Sequence, residues 1–263
     1  MNKNINRVVA YGCSYTAGDE IMDHVFMNVS FEECNKIKRQ YIQHGKTLDA
    51  KSKFKNDYNI WTADKELNRN HSWAAYLAKH LDLPFVNRAV NGSSIDQIYF
   101  SIQSDLLNSS ILETDLVLVG LTTPFRIVDF RDPEMLKTLR PNNLDATNAE
   151  NKLFVELFND DFALFHYFKT VESLHNLNSK ITIRLQPISL GISPTSFSFK
   201  YKLNHTRSYI NNVWKNSNTS IVLPDEYLRI QMINRQLKVC EYGHAPVESH
   251  IVLAEKMYNQ LKL

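Results

Sequence analysis

The sequence predicts an α/β fold, a three-layer α/β/α sandwich around a central, mostly parallel five-stranded sheet. Two observations lead to this prediction. Short apolar segments of strand length alternate along the chain with segments of helical character, which favours a parallel sheet covered on both faces. One strand segment, DLVLVGL at 115–121, is a continuous apolar run after its first residue, as expected of a central strand buried on both sides.

Five segments of the chain are predicted as strands, because they are rich in β-branched or other apolar residues and are followed by turn residues. They are residues 7–11, 84–90, 115–121, 180–186 and 220–224. We expect the last of them, which is short, at an edge of the sheet.

Six segments are predicted as helices from the spacing of their apolar residues. They are residues 32–46, 71–81, 95–107, 151–177, 226–237 and 245–263. Ser93 or Ser94 is placed to cap the third of these helices. Pro246 lies near the start of the last one, where a proline suits the first helical turn.

The remaining stretches are polar. Residues 20–70 are rich in Lys and Asn, and residues 187–218 are rich in Ser and Asn. We interpret both as insertions in a single domain that spans residues 1–263. Residues 131–149 are polar, contain two prolines and are predicted as a loop.

The composition of the chain excludes several function classes. Its 263 residues are 43% hydrophobic and 22% charged, with a net charge of +2, which is too balanced to favour nucleic acid or an anionic membrane as a partner. Three cysteines with wide spacing and nine histidines without HExxH spacing predict no disulfide framework, no metal site and no cofactor. Neither a secretory signal peptide nor a membrane-spanning segment is visible.

The predicted topology brings chemistry-bearing residues to one edge of the sheet. Binding sites in parallel sheets form at the carboxyl ends of the strands. Residues 12–18, 87–92 and 120–126 each follow a predicted strand, so we expect them along one rim. The loop before the last helix is expected at the same rim.

Ser14 lies in the segment VVAYGCSYTAGDE, directly after the first strand. A serine presented on a sharp turn between Gly12 and Gly18 can act as a nucleophile if a histidine base and oxyanion donors lie nearby. It can equally be an ordinary helix cap. Cys13 is a second candidate nucleophile, but neighbouring side chains point in different directions, so both cannot face one base, and a buried apolar role suits the thiol better.

A histidine with a nearby acid occurs at the other end of the chain. Glu241 and His244 have the spacing E-x-x-H just before the last helix, which lets a carboxylate reach Nδ1 of the imidazole and orient it. His244 could otherwise be a surface histidine in a loop. Glu241 could simply be solvated, and Asp19 or Glu20 could compete for its role.

Taken together, these segments resemble the SGNH/GDSL hydrolase family. GCSYTAG (12–18) is similar to the family's first block, NRAVNGSS (87–94) to its second, and EYGHAPVESHIVLAE (241–255) to its last. The resemblance implies an SGNH-hydrolase or flavodoxin-like fold. It implies the subgroup encoded by large tailed phages, and hence a location in the host cytoplasm or the virion.

The resemblance also implies a role for each matching residue. Ser14 matches the nucleophile, His244 the base, and Glu241 the acid that orients the base. Gly92 matches the glycine whose N–H serves the oxyanion hole, beside the N–H of Ser14, although a glycine at this position could merely turn the chain. Thr122 stands where the family has an oxyanion-hole asparagine.

Three departures from the family pattern affect the expected activity. Cys13 replaces an aspartate that is not the nucleophile, and Glu241 replaces an aspartate one methylene shorter. Thr122 is the more serious change, because its hydroxyl is shorter than an amide and the loss of one oxyanion donor costs about 10²–10³ in rate. Arg126 and Asn91 are candidate substrate-binding residues, and Arg126 is placed to compensate electrostatically.

We therefore expect a serine esterase that hydrolyses an acyl or acetyl ester through a Ser–His–Glu triad and a covalent acyl-enzyme. The resemblance implies esters on small molecules or carbohydrates as the substrate class. Two alternatives use the same fold: a non-catalytic binding module for a glycan or a protein, and an acyltransferase. Thr122 favours the binding module, whereas the presence of all three triad residues argues against it.

Overall fold

The computed structural model describes residues 4–18, 21–26, 28–44, 65–124, 127–129, 137–139, 160–188, 204–217, 219–223 and 244–261. Within them, four strands form a parallel sheet in the order β2–β1–β3–β6, and β4 and β5 form a separate antiparallel pair. The strands are β1 (Arg7–Tyr11), β2 (Phe85–Asn87), β3 (Asp115–Leu121), β4 (Ile127–Asp129), β5 (Lys137–Leu139) and β6 (Thr182–Pro187).

Nine α-helices lie in the described part of the chain. They are α1 (Ser14–Ala17), α2 (Asp23–Phe26), α3 (Phe31–His44), α4 (Lys65–Asn70), α5 (Trp73–His80), α6 (Ile95–Leu107), α7 (Asp160–Asn176), α8 (Asn204–Ser217) and α9 (Val247–Leu261). The predicted cap of α6 is Ser94, whose side chain accepts from the N–H of Gln97. Ser72 caps α5 in the same way through the N–H of Ala75.

The two central strands, β1 and β3, show why a parallel sheet needs continuous apolar runs. Successive side chains point to opposite faces of a strand. In β1, Val8 and Ala10 face one layer of helices, while Val9 and Tyr11 face the other. Both faces of the sheet are therefore apolar, and every residue of β3 is buried.

Each face of the sheet is covered by its own group of helices. One apolar core lies between the sheet and α5 and α9, with contributions from Trp73, Leu77, Leu253 and Met257. The other core lies between the sheet and α6, α7 and α8; its helical members include Ile98, Ile102, Leu164, Phe168, Ile210 and Val213. The predicted three-layer α/β class is thus confirmed.

The prediction of a fifth strand at 220–224 is wrong. The described sheet has four strands, and the segment forms only an isolated parallel bridge between Ile221 and Leu185. Two contacts explain the short pairing. Ile221 still donates to the carbonyl of Ser217 at the end of α8, and Leu223 donates to the side chain of Gln186 instead of to a backbone carbonyl.

Two elements differ from the sequence prediction. β5 lies within the segment predicted as loop, where it pairs in register with β4 from Ile127–Leu139 to Asp129–Lys137. α8 lies within the predicted insertion at 187–218.

The predicted helix at 226–237 and residues 151–159 of the predicted helix at 151–177 lie outside the described residues. None of the described helices is long and apolar enough to cross a membrane.

Candidate active site

The chain turns sharply at the carboxyl end of β1 and enters the single-turn helix α1. Cys13 is the N-cap of this helix, and its carbonyl accepts from the N–H groups of Thr16 and Ala17. The first N–H groups of a helix have no acceptor within that helix. Ser14 is the first residue of α1, so its backbone N–H has no acceptor within the helix, and the residue as a whole is 4% exposed.

Cys13 lies in the apolar core rather than at the rim. Its side chain is 1% exposed and belongs to the cluster that contains Trp73 and Ala245. The alternative in which Cys13 is the nucleophile has no support in this arrangement. The thiol fills space between the sheet and the layer formed by α5 and α9.

Thr16 lies between the ends of the two central strands. Tyr11 pairs with Val119, so the next residues, Gly12 and Gly120, are side by side. A Cβ atom at either glycine would collide with the side chain of Thr16. The Thr16 hydroxyl oxygen is buried and has no hydrogen-bond partner among the described residues. No pattern in the sequence indicates this contact. It explains why both positions are occupied by glycine.

The second block is hydrogen-bonded to the first. Val90 donates to the carbonyl of Gly12 over 3.0 Å, and the side chain of Asn87 donates to the carbonyl of Thr16 over 3.0 Å. Gly92 follows in a turn with φ +79°, and no atom lies within 4 Å of the position that a Cβ would take. The space on the Cβ side of Gly92 is therefore open.

The remaining predicted site residues fall into two groups. Thr122 follows β3 and is 1% exposed, and Asn91 is exposed in the turn before Gly92. Glu241 and Arg126 lie outside the described residues. Neither the carboxylate of the predicted triad nor the predicted substrate-binding arginine is therefore located by this structure.

His244 lies against the first block. Its ring meets the ring of Tyr15, the neighbour of Ser14, edge-on with 5.0 Å between the centroids. The next residue, Ala245, is fully buried in the same core as Cys13. The structure thus brings the segments of Ser14 and His244, from opposite ends of the chain, into contact at the carboxyl rim of the sheet.

His250 lies one helical turn beyond the His244 segment, in α9, and is fully buried. Its Nδ1 accepts from the backbone N–H of Trp73 over 3.0 Å. Burial, with a further contribution from the charge of His244, lowers the pKa of His250 to about 3. The ring is therefore neutral at physiological pH.

The segment between α1 and α3 is attached to the first block by a buried polar cluster. Gly18 ends α1 with φ +77°, and a Cβ there would collide with the carbonyl of Asn68 in α4. The side chain of Asn68 accepts from the N–H of Met22 and donates to Asp23, which pairs with Lys38 over 2.7 Å. These contacts fix one wall of the rim.

A second histidine near the rim has a carboxylate partner. Asp96 lies in the first turn of α6, four positions after Gly92, and accepts from Nε2 of His166 over 2.9 Å and from the hydroxyl of Thr170. The hydrogen bond to Asp96 raises the pKa of His166, against a smaller opposing effect of burial. The exposed ring of Phe162 stacks on His166.

A different serine–histidine contact occurs far along the chain. Nδ1 of His175, near the end of α7, lies 2.6 Å from the hydroxyl of Ser220. Ser220 is fully buried and also contacts Asn178, whose side chain accepts from Ile183 in β6. No substrate can reach a fully buried hydroxyl, so this pair is structural.

No protein-family model and no curated protein matches the chain. Among solved structures, a member of the lipolytic protein G-D-S-L family from Veillonella parvula resembles it at 10% identity, over 97% of this chain and 98% of that one, with a TM-score of 0.49. The acetyl xylan esterase AlAXEase resembles it at 12% identity, over 96% and 98% of the two chains, with a TM-score of 0.46. The psychrotrophic esterase EstA from a Pseudoalteromonas species resembles it at 9% identity, over 98% and 97%, with a TM-score of 0.44. Likenesses this low assign neither an activity nor a site residue to this chain.

Proposed function

We propose that the protein is a serine esterase of the SGNH/GDSL type, with Ser14 as nucleophile, His244 as base and Glu241 as the acid that orients the base. The observation that carries this proposal is the contact between His244 and Tyr15. In this contact the histidine from the end of the chain meets the residue that follows Ser14 in the sequence. A nucleophile and a base must be close neighbours for general-base catalysis.

The acylation step uses His244 first as a base and then as an acid. The imidazole takes the proton of the Ser14 hydroxyl as the oxygen bonds to the ester carbonyl carbon, and the carbonyl oxygen becomes an oxyanion. When the tetrahedral intermediate collapses, the bond to the leaving alcohol breaks. The protonated imidazole gives its proton to that alcohol, and an acyl-Ser14 remains.

Hydrolysis of the acyl-enzyme repeats these steps with water. His244 takes a proton from the water molecule as it attacks the acyl carbon, and it returns the proton to the Ser14 oxygen as the carboxylic acid leaves. The carboxylate of Glu241 stabilises the imidazolium that forms in both steps.

The oxyanion is held, in this proposal, by the N–H groups of Ser14 and Gly92 and by the hydroxyl of Thr122. Support comes from two features: the start of α1 leaves the Ser14 N–H without an intrahelical acceptor, and the space on the Cβ side of Gly92 is open. Arg126 and Asn91 are proposed to bind substrate around this site.

The proposed substrates are acyl or acetyl esters, with esters on carbohydrate as the class implied by the family resemblance. The wall formed by α2, α3 and α4 at the rim would then shape the pocket, as segments next to a site commonly do. The proposal includes the phage subgroup, with action in the host cytoplasm or in the virion.

The test is labelling with a fluorophosphonate probe, followed by peptide mass spectrometry. The probe reacts with serines that a base and an oxyanion hole activate. We expect one adduct on Ser14, which is lost in Ser14→Ala and in His244→Ala. Ser220→Ala, which removes the buried serine of the other serine–histidine pair, is the matched control and should be labelled like wild type. A folded wild-type protein that takes no label at Ser14 contradicts the proposal.

A second candidate is a non-catalytic binding module for a glycan or a protein partner. Thr122, in place of an amide donor, favours it, since the remaining hole has weaker donors. This candidate predicts no fluorophosphonate adduct together with saturable binding of a carbohydrate. Acyl transfer would use the same residues as hydrolysis, and analysis of the products in the presence of an alcohol acceptor separates these two reactions.

A further inference from the structure

The buried histidine of α9 connects two parts of the molecule that are distant in sequence. His250 lies in the first turn of α9, and Trp73 is the first residue of α5. Both residues are fully buried. The hydrogen bond from the Trp73 N–H to Nδ1 of His250 therefore joins the starts of the two helices that cover one face of the sheet.

This hydrogen bond determines the tautomer of the ring. A neutral imidazole has one donor nitrogen and one acceptor nitrogen. Because Nδ1 accepts from Trp73, the proton of His250 must be on Nε2, which is buried and has no hydrogen-bond partner among the described residues. A protonated ring has two donors and no acceptor, so it could not keep this bond.

The hydrogen bond also gives the buried N–H of Trp73 an acceptor. Without one, burying this N–H would lower the free energy of unfolding. The first N–H groups of a helix have no intrahelical acceptor. The cap residue Ser72 accepts from Ala75, which leaves the Trp73 N–H to another acceptor. Nδ1 of His250 is that acceptor, and an apolar side chain in the same place would leave a buried N–H unpaired.

His250 also follows the segment of His244 closely along the chain. Ser249 donates to the carbonyl of Pro246 over 3.0 Å, so the segment of His244 leads directly into the first turn of α9, which carries His250. Ala245 packs in the same core as Cys13, directly before Ser14. The hydrogen bond from Trp73 to His250 therefore fixes the start of α9, into which the His244 segment leads.

We propose that His250 is a positioning residue: its neutral ring, fixed by the N–H of Trp73, holds the segment 244–246 so that the His244 imidazole faces Ser14. The role rests on the proposed function, since it concerns the base of that reaction. His250 contacts neither the substrate nor the reacting atoms. It acts through His244 by fixing the backbone position from which the His244 side chain extends.

The experiment compares the rate of fluorophosphonate labelling of Ser14 in the full chain. His250→Phe keeps an aromatic ring but removes the acceptor, and we expect the labelling rate constant to fall about 10- to 100-fold, because small misplacements of a catalytic group have effects of this size. His250→Asn keeps an acceptor oxygen near the position of Nδ1, and we expect a rate within about threefold of wild type. His175→Phe, which breaks the contact with Ser220 instead, is the control and should also label within about threefold of wild type.

Rate and amplitude separate positioning from a general loss of structure. A variant that is only partly folded lowers the fraction of molecules labelled, whereas a misplaced base lowers the rate constant of the folded fraction. A wild-type protein labelled on Ser14 and a His250→Phe variant labelled equally fast would overturn the role of His250 alone. An unlabelled wild type would overturn the proposed function and, with it, this role.

Nitrogen NMR of the wild-type protein tests the geometry without any variant. We expect His250 to show an unprotonated Nδ1 and a protonated Nε2, unchanged between about pH 5 and pH 8. A proton on Nδ1, or a charged ring in this range, would overturn the proposal even if His250→Phe does not fold.

Discussion

His250 and His166 lie in opposite layers of the sandwich, and their surroundings move their pKa values in opposite directions. Burial lowers the pKa of His250 to about 3, and its neutral ring accepts from a backbone N–H. A hydrogen bond to Asp96 raises the pKa of His166, which is 37% exposed at the surface of α7. The hydrogen-bond partner of each ring therefore decides its role: a backbone donor makes imidazole a fixed acceptor, and a carboxylate favours its cationic form.

The two histidines should therefore affect folding stability with opposite signs as the pH changes. Since the folded pKa of His250 is depressed below 6.5, its contribution is fully present above pH 6.5 and is lost as the pH falls towards 3. Since the folded pKa of His166 is raised, its contribution is fully present below the unfolded pKa and is lost as the pH rises through the folded pKa.

Lowering the pH should reveal how much His250 contributes to the free energy of unfolding. Below pH 6.5 the unfolded state takes up a proton at this histidine and the folded state does not, so the free energy of unfolding should fall by about 3 kcal/mol over two pH units. Urea unfolding of wild type and His250→Asn at several pH values measures it, because other titrating groups are common to both. Parallel loss of stability in the two proteins would show that His250 takes up its proton in the folded state as easily as in the unfolded state.

At neutral pH, the two sites should differ in their tolerance of an apolar ring. His250→Phe leaves the buried N–H of Trp73 unpaired, which costs about 1–3 kcal/mol. His166→Phe removes a partly exposed contact with Asp96, which costs about 1 kcal/mol or less. Chemical denaturation at pH 7.5 gives both values. An equal or larger loss for His166→Phe would contradict this assignment of roles.

Asp96→Asn should shift the titration of His166 without unfolding the protein. The amide cannot stabilise the imidazolium as a carboxylate does, so the pKa of His166 should fall below its wild-type value. The stability cost should be below about 1 kcal/mol, since the pair is exposed on one side. NMR titration of the His166 ring follows the change, with His250 in the same spectra as the internal control. An unchanged His166 midpoint would mean that Asp96 does not set its charge.

Salt should produce the smallest effect and should act on only one of the two histidines. About 1 M salt screens the partly exposed pair of His166 and Asp96 and should lower the His166 midpoint by less than about half a pH unit. The neutral hydrogen bond between Trp73 and His250 involves no ion pair, so its NMR signals should not move. A salt-dependent His250 signal would indicate a charged ring.

Much of the fold could be predicted because local signals and tertiary packing agree. The apolar runs of β1 and β3 need a sheet buried on both faces, and Ser94 combines a cap side chain with an amphipathic helix behind it. The predicted fifth strand does not form, and the reason lies in a tertiary contact. The N–H of Leu223 donates to the side chain of Gln186 instead of to a backbone carbonyl. The helix α8 was not predicted, because its Asn residues have low helix propensity and obscure the helical spacing of its apolar residues, such as Ile210 and Val213.

The candidate site could be predicted only where a motif is local in sequence. Ser14 and His244 belong to short blocks, and His244 contacts Tyr15, the residue that follows Ser14. The hydrogen bond of His250 has a donor from the other half of the chain, and no pattern around 250 indicates it. A histidine on the buried face of a predicted amphipathic helix was the available signal, but it does not identify the partner.

Because Thr16 lies between Gly12 and Gly120, the substitutions that the protein tolerates at these three positions should depend on one another. Either glycine can gain a side chain only if Thr16 first becomes smaller, so the effect of each substitution depends on the residues already present at the other positions. Deep mutational scanning of single positions should find Gly12 and Gly120 intolerant. A combinatorial library should instead recover folded sequences in which an alanine at Gly120 occurs together with a glycine or alanine at Thr16, a correlated pattern that single-site data cannot reveal.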